Sequence, residues 1–219
     1  MSQDLHARPQ ASPPGPLTID YFFSPQSPWT YLGHQRFAAL AQQHGARVRV
    51  LPVDLGQVFP VSGGVPVGKR APQRQVYRLL ELRRVAEYLA LPMHPQPKYF
   101  PVASGDAARL IVAADQREGT PAAMRLCGAV FAAVWAQQRN IADPKVLAAL
   151  LDEAGLPAAL LEQSLSQAAH ERYEANTEEA IAAGVFGAPS YVVGGEIFWG
   201  QDRLDFLQRK LQRHSSPGA

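Results

Sequence analysis

Strand-like sequence stands on both sides of a long block, residues 72 to 183, that carries only helical signals, and few folds accommodate that order. "LTIDYFF" (17–23) has the composition of a strand, and "ARVRVLPVDL" (46–55) alternates polar and apolar side chains through Arg47, Val48, Arg49 and Val50. Between them "SPWTYLGHQRFAALAQQHG" predicts a helix. Ser27 takes the N-cap, Pro28 the first helical position, apolar residues recur at three and four, and Gly45 is the stop. Strand, helix and strand in this order predict a parallel βαβ unit. The helical block divides into five or six pieces: Thr120-Pro121, Asp143-Pro144 and Leu156-Pro157 each begin a helix, while Gly155 and Gly184 end the helices before them. After it, "PSYVVGGEIFWG" (189–200) predicts a hairpin turning at Gly194-Gly195, and Leu204, Leu207 and Leu211 mark a last amphipathic helix.

The order β-α-β, helical insertion, β-β-α is that of an α/β thioredoxin-like domain interrupted by a large all-helical one. The predicted boundaries are a disordered tail over 1–16, a thioredoxin-like domain from 17–71 and 184–219, and a helical insertion domain over 72–183. With 219 residues, 47% of them hydrophobic, the chain is long enough to bury a core of its own. The tail "MSQDLHARPQASPPGP" has no apolar run of the kind a secretion signal needs, and no stretch elsewhere matches a membrane span. A single cysteine, Cys127, excludes an internal disulfide, a CxxC redox pair and a cysteine-based zinc site, and fits a cytoplasmic setting. Charge is near balance, with 21 basic against 19 acidic residues. The densest basic run, Arg78 to Arg84, is broken by leucines and Glu81 at helical spacing, so it reads as a solvated helix face and not as a nucleic-acid footprint. His34, His44, His94 and His170 show no ligand pairing, and no metal site is expected.

In such an architecture the turn from the first strand into the first helix is the reactive place, because unpaired backbone N–H groups and the helix dipole favour negative charge there. Ser27 sits on that turn, within "FFSPQSPWTYLG" (22–33). Redox relatives of this fold carry Cys-Pro-x-Cys at the turn; Ser27, Pro28, Trp29 and Thr30 cannot exchange disulfides. A serine hydrolase needs a base beside the hydroxyl, but the nearest histidine in sequence, His34, lies two helical turns on, and there is no G-x-S-x-G elbow. Two readings of Ser27 stay open: a helix cap, or a donor to a borrowed anion such as the thiolate of bound glutathione, whose pKa it would lower. In "VFGAPSYVV", Pro189 is either a trans strand-entry proline or a cis-proline opposite the reactive turn, with Ala188 offering its backbone to an extended peptide such as glutathione. In "FWGQDRL", Gln201 and Asp202 open the last helix. They either receive a ligand's carboxylate and ammonium there, or Asp202 simply offsets the dipole. "GGVPVGKR" (63–70) nearly matches a phosphate loop, but Arg70 stands where a hydroxyl is required and Pro66 removes an N–H donor; a mobile loop over the site is the expectation. Trp29, Tyr31, Tyr99 and Phe100 either line an aromatic pocket or belong to the core.

"SPWTYLG" and "YEANTEEAIAAGVFGAPSYVVGGEIFWGQDRL", in that order within residues 17 to 211, resemble the 2-hydroxychromene-2-carboxylate isomerase family, relatives of the kappa-class glutathione transferases. The resemblance implies a glutathione-dependent isomerase that opens a chromene carboxylate to a benzylidenepyruvate during breakdown of naphthalene-like aromatics. It implies glutathione as cofactor, a small aromatic carboxylate as substrate and a homodimer. By the same carry-over Ser27 holds the glutathione sulfur, Ala188 and Pro189 pair with its cysteinyl backbone, and Gln201 and Asp202 take its γ-glutamyl end. Two departures bear on the substrate. No asparagine precedes Asn140, where the family often has one after the second strand, and Arg74 replaces the family's lysine three residues before Tyr77. Arg74 either binds a carboxylate, in a geometry a lysine does not share, or is a solvated helix-face charge. Two further functions use the same residues: a kappa-like transferase or peroxidase, and a non-catalytic glutathione-binding protein.

Overall fold

The computed structural model describes residues 17–215, and the tail expected over 1–16 lies outside the described residues. Its sheet has strands β1 (Thr18–Phe23), β2 (Arg47–Pro52), β3 (Ser190–Val193) and β4 (Glu196–Trp199), in the order β2-β1-β3-β4. β1 runs parallel to β2, with Thr18 opposite Arg47 and Phe23 opposite Pro52, and antiparallel to β3, with Tyr21 opposite Tyr191. The hairpin joining β3 to β4 turns at Gly194 and Gly195, both at positive φ (58° and 81°), the conformation that the turn demands and glycine accepts without steric cost. Alternation along the strands divides the sheet's two faces. Ile19, Tyr21, Phe23, Tyr191 and Val193 join the large core, while Phe22, Leu51 and Val192 form a smaller cluster with Ala180 and Val185 on the other side.

Helix α1 (Pro28–Gln43) carries the chain from β1 back to β2 with the predicted Ser27 cap and Pro28 start. The sequence reading did not anticipate helix α2 (Leu55–Ser62), which follows β2 directly. Its signals were present: Asp54 caps it by accepting from Gly56 N–H at 2.7 Å, and Gly63 stops it at φ 74°. Gly56 and Pro60 within so short and apolar a segment hid them. A 3-10 turn, Val67–Lys69, follows, and the Arg70 side chain ties the 63–70 loop to itself by donating from Nε to the Val65 carbonyl at 2.7 Å.

The predicted insertion holds six helices: α3 (Pro72–Tyr88), α4 (Gly105–Glu118), α5 (Thr120–Trp135), α6 (Pro144–Glu153), α7 (Leu160–Ser164) and α8 (Gln167–Ala182). It is not helical throughout. Residues 89–104 form an irregular connection, with Phe100-Pro101 cis, where the prolines of "LPMHPQPKYFP" deny the backbone its helical donors. Helix α7 also begins at Leu160, later than the expected Leu156-Pro157 start. After β4 a 3-10 turn, Gln201–Arg203, leads into α9 (Leu204–Ser215). Helix α8 lies over the smaller cluster and is pinned by Arg49, which donates to Asp20 on β1 at 2.9 Å and to both carboxylate oxygens of Glu179 at 2.6 and 2.8 Å. Among the described residues no helix is long and apolar enough to cross a membrane.

The larger core is continuous from the sheet through α1 into the inserted helices. Phe131 of α5 meets Phe23 edge-on at 5.4 Å and His34 at 5.1 Å. His34 is buried and bridges the two parts. Its Nε2 is 2.9 Å from the Met124 carbonyl, which can only accept, so that nitrogen carries the proton and Nδ1 receives the Tyr21 hydroxyl at 3.2 Å. Burial lowers the His34 pKa from 6.5 to about 4 against the opposing pull of the Met124 bond. The unfolded chain therefore takes up this proton at a higher pH than the native one, and stability is lost as pH falls from 6.5 towards 4. Urea unfolding of the wild type should show that loss, of order 2–3 kcal/mol across the window, and His34→Gln should flatten it.

Candidate functional site

β1 ends at Phe23, and Ser24 to Ser27 form a tight turn in which Ser27 N–H donates to the Ser24 carbonyl at 2.9 Å. Pro28 then enters α1 and supplies no N–H, so Trp29 contributes the one first-turn donor left without a partner among the described residues. Ser27 is 7% exposed. Its Oγ accepts from Thr30 N–H at 3.2 Å, and it lies 3.4 Å from the Ala188 carbonyl, long for a hydroxyl bond. The cap uses a lone pair and leaves the hydroxyl proton loosely held. Capping and donating are therefore compatible at Ser27, because an oxygen can do both at once.

Ala188-Pro189 is cis and faces this turn. The Pro189 carbonyl accepts from Gly200 N–H at 2.9 Å, and Ser190 Oγ donates back to the Gly187 carbonyl at 2.8 Å. Ala188 N–H donates to nothing among the described residues, as expected of an edge open to another backbone. The indole of Trp199 packs closely on this loop: a Cβ built on Gly187 would run into its Nε1. Trp199 and Phe186 stay half exposed in mutual contact at 4.8 Å beside the cis peptide.

The structure brings Ser27, Ala188 and Pro189 together, and Gly200 links them to the Gln201–Arg203 turn. Within that turn the side chains behave differently from one another. Gln201 is buried at 8% exposure, and Arg36 of α1 donates both to its carbonyl at 3.0 Å and to its Oε1. Its side chain therefore holds the turn against α1. Asp202 is exposed and pairs with Arg203 at 2.7 Å. Arg74 is exposed in the first turn of α3, joined to none of these residues by a hydrogen bond or ion pair. Of the four aromatics, Tyr31 is core, its hydroxyl donating to the Pro92 carbonyl at 2.6 Å, and Trp29 packs against the core; Phe100 meets Trp135 at a tilt, ring centres 4.9 Å apart, and Tyr99 lies beside Lys98.

Sequence reasoning overlooked three contributors. Gln26 Oε1 accepts from Val102 N–H at 3.1 Å, tying the 89–104 connection to the β1–α1 turn. Asn176, fully buried on α8, donates to the Pro52 carbonyl at 3.3 Å, while its neighbour Thr177 accepts from Asp54 N–H at 3.0 Å. Arg78 is the third and corrects the basic-run reading: it is not on a solvated face but 8% exposed. The signal was its spacing, four residues before Leu82 and eight before Ala86, which are the other buried positions of α3. Cys127, on α5, is fully buried, and burial above all pushes its thiol pKa well up. Among the described residues no three acidic, histidine or cysteine side chains gather as a metal site would require.

The DSBA-like thioredoxin domain family matches residues 18–212. A 2-hydroxychromene-2-carboxylate isomerase of Pseudomonas putida is 33% identical over 90% of this chain and 95% of its own. The glutathione S-transferase kappa 1 of Caenorhabditis elegans is 24% identical over 89% of this chain and 91% of its own. A solved 2-hydroxychromene-2-carboxylate isomerase superposes with a TM-score of 0.75 at 29% identity, covering 90% of this chain and 95% of that one.

Close packing of α1 on the Gln201 turn is testable at Gly33. A Cβ there would lie 2.9 Å from Gln201 Cβ and 3.1 Å from the Tyr191 hydroxyl, with no flexible group able to yield cheaply. Gly33→Ala should lower the unfolding free energy by about 1–3 kcal/mol in urea titration, whereas Gly45→Ala, with nothing near its Cβ, should cost only the strain of a positive φ.

Proposed function

The chain belongs to the 2-hydroxychromene-2-carboxylate isomerase family of DSBA-like thioredoxin domains, and on that premise we propose that it is a glutathione-dependent isomerase of 2-hydroxychromene-2-carboxylate or a similar intermediate of aromatic breakdown. The observation that carries the reading is a hydroxyl with a loosely held proton on a helix N-terminus, set against a cis-proline loop, in a protein whose sole thiol is sealed in the core.

Glutathione fits what these residues leave unused. Among the described residues Ala188 N–H, on a backbone edge, has no partner, and Trp29 N–H is free at the end of the α1 dipole. When bound, glutathione supplies a thiolate able to add reversibly to a conjugated acceptor. Ser27 would donate its proton to that sulfur, releasing the long contact to Ala188, and the helix dipole would reinforce the negative charge. Ala188 and Pro189 would hold the peptide through their backbone. The Gln201–Arg203 turn would receive the γ-glutamyl end: the N–H groups of Gln201 and Asp202 are unpartnered, and the Asp202 carboxylate would leave Arg203 for the ammonium. Arg74 would attract the substrate's carboxylate from the exposed start of α3. The low exposure of Ser27 keeps water from competing for its proton.

Titration calorimetry of glutathione into wild type and Ser27→Ala, with ultraviolet pH titration of the bound thiol, tests the proposal. A charge-assisted bond of about 1.5–3 kcal/mol corresponds to a thiol pKa roughly one to two units higher in the variant, with loss of chromene-carboxylate turnover. Unaltered thiol pKa in Ser27→Ala would leave Ser27 as a cap alone. Conjugation of electrophiles without chromene turnover would place the chain with the kappa transferases instead.

A further inference from the structure

The guanidinium of Arg78 has no acceptor. None of its N–H groups meets a carboxylate, a carbonyl or a hydroxyl among the described residues, and Nη2 is fully enclosed without a partner. Its charged surroundings are cationic: after burial, Arg70 is the influence that lowers the Arg78 pKa, to about 10, so the group still carries its charge at neutral pH. Arg74, one helical turn before Arg78 on α3, depresses Arg70 in turn, after that residue's own burial. Arg70 and Arg74 thus add positive charge to the surroundings of Arg78, and none of the three is in an ion pair among the described residues.

The walls of this place are aromatic. The Arg78 guanidinium lies 5.1 Å from the Phe100 ring centre and 5.9 Å from that of Trp135, and the two rings are in contact. Trp135 Nε1 is itself buried without an acceptor. Arginine and indole nitrogens can only donate, so two unsatisfied donors stand together where the protein offers no lone pair. Native interiors rarely leave such groups unmatched, and a buried unpaired charge is among the costliest arrangements a fold can hold. A compact anion with two acceptor atoms offers what these donors lack.

The location gives that anion a purpose. From Phe100 the chain passes through Pro101 to Val102, whose N–H is held by Gln26, the residue directly before Ser27. We propose that Arg78, set against Phe100 and backed by Trp135, forms a receptor for an organic carboxylate beside the β1–α1 turn, which Arg70 and Arg74 serve as an electrostatic approach. A planar aromatic acid matches it in both respects: its carboxylate takes the forked donors and its ring stacks on Phe100. Identifying the anion as the reaction's own substrate rests on the proposed function. The anion site itself does not, and the glycine carboxylate of glutathione offers the same chemistry.

Calorimetry with paired probes separates these sources. Coumarin-3-carboxylate is compared with its neutral carboxamide, and glutathione with its monoethyl ester, on wild type, Arg78→Met and Arg78→Lys. In wild type the acid of one pair should bind about tenfold or more tighter than its neutral partner. Arg78→Met should bring that ratio close to one, while its thermal unfolding midpoint stays equal to or above wild type because an unpaired charge has gone; Arg78→Lys should hold an intermediate ratio. Collapse of the coumarin ratio assigns the site to the substrate carboxylate, and collapse of the glutathione ratio assigns it to glutathione. Equal ratios in wild type and Arg78→Met for both pairs overturn the proposal. Should Arg78→Met not fold, Arg78→Gln carries the same comparison. Absence of chromene turnover with the acid preference intact would sink the isomerase reading and leave the anion site standing.

Discussion

Hydrogen bonding of β1 along both of its edges is the constraint on which the rest depends. Its parallel edge meets β2, which forces α1 to cross over the sheet, and its antiparallel edge meets β3, which arrives only after seven further helices. Because both ladders run to the same end of β1, the turn after Phe23 and the cis peptide before Ser190 meet there. Ser27 and Ala188 come within 3.4 Å though 161 positions apart. A slip of β3 by one residue would turn Tyr191 and Val193 out of the large core and carry Ala188 away from the hydroxyl, so burial of those side chains sets the register of the site.

The inserted helices are packed into the same core as the strands. Phe131 and Trp135 of α5 belong to one cluster with Tyr21 and Phe23, and His34 couples the sheet to the Met124 carbonyl through a chain of directed bonds. The insertion also supplies the wall that the strands lack. The connection over residues 89–104, with no regular structure of its own, is held against the β1–α1 turn by Gln26 and against α3 by the contact of Phe100 with Arg78. Irregular backbone is where groups aimed at a ligand are most often presented, since it owes no hydrogen bonds to a ladder.

Legibility in the sequence followed the range of the interaction concerned. The Ser27 cap, the Gly45, Gly155 and Gly184 stops and the Gly194-Gly195 turn are contacts within a few residues, and each stands where its residue type implied. Helix α2 escaped because Gly56 and Pro60 argue against a helix that its Asp54 cap and its packing on α8 nevertheless secure. Gln201 was legible as part of a turn but not as the ligand of Arg36, a pairing across 165 positions. Arg78 was misread because a basic residue at an apolar spacing has two meanings, and solvation is the commoner one.

The sequence by itself determined the strands on either side of the helical block, the cap and proline that make the α1 N-terminus, the absence of any thiol from that turn, and the proline before β3. These are matters of local steric preference and residue chemistry, carried by residues a few positions apart. Only the tertiary structure decided that Ala188-Pro189 is cis and faces Ser27, that Gln201 serves α1, and that Arg78 is buried against Phe100 and Trp135 with no counterion among the described residues. Those outcomes depend on which surfaces are brought together when a continuous core closes, and a one-dimensional pattern records only that a residue is to be buried, not what it will be buried against.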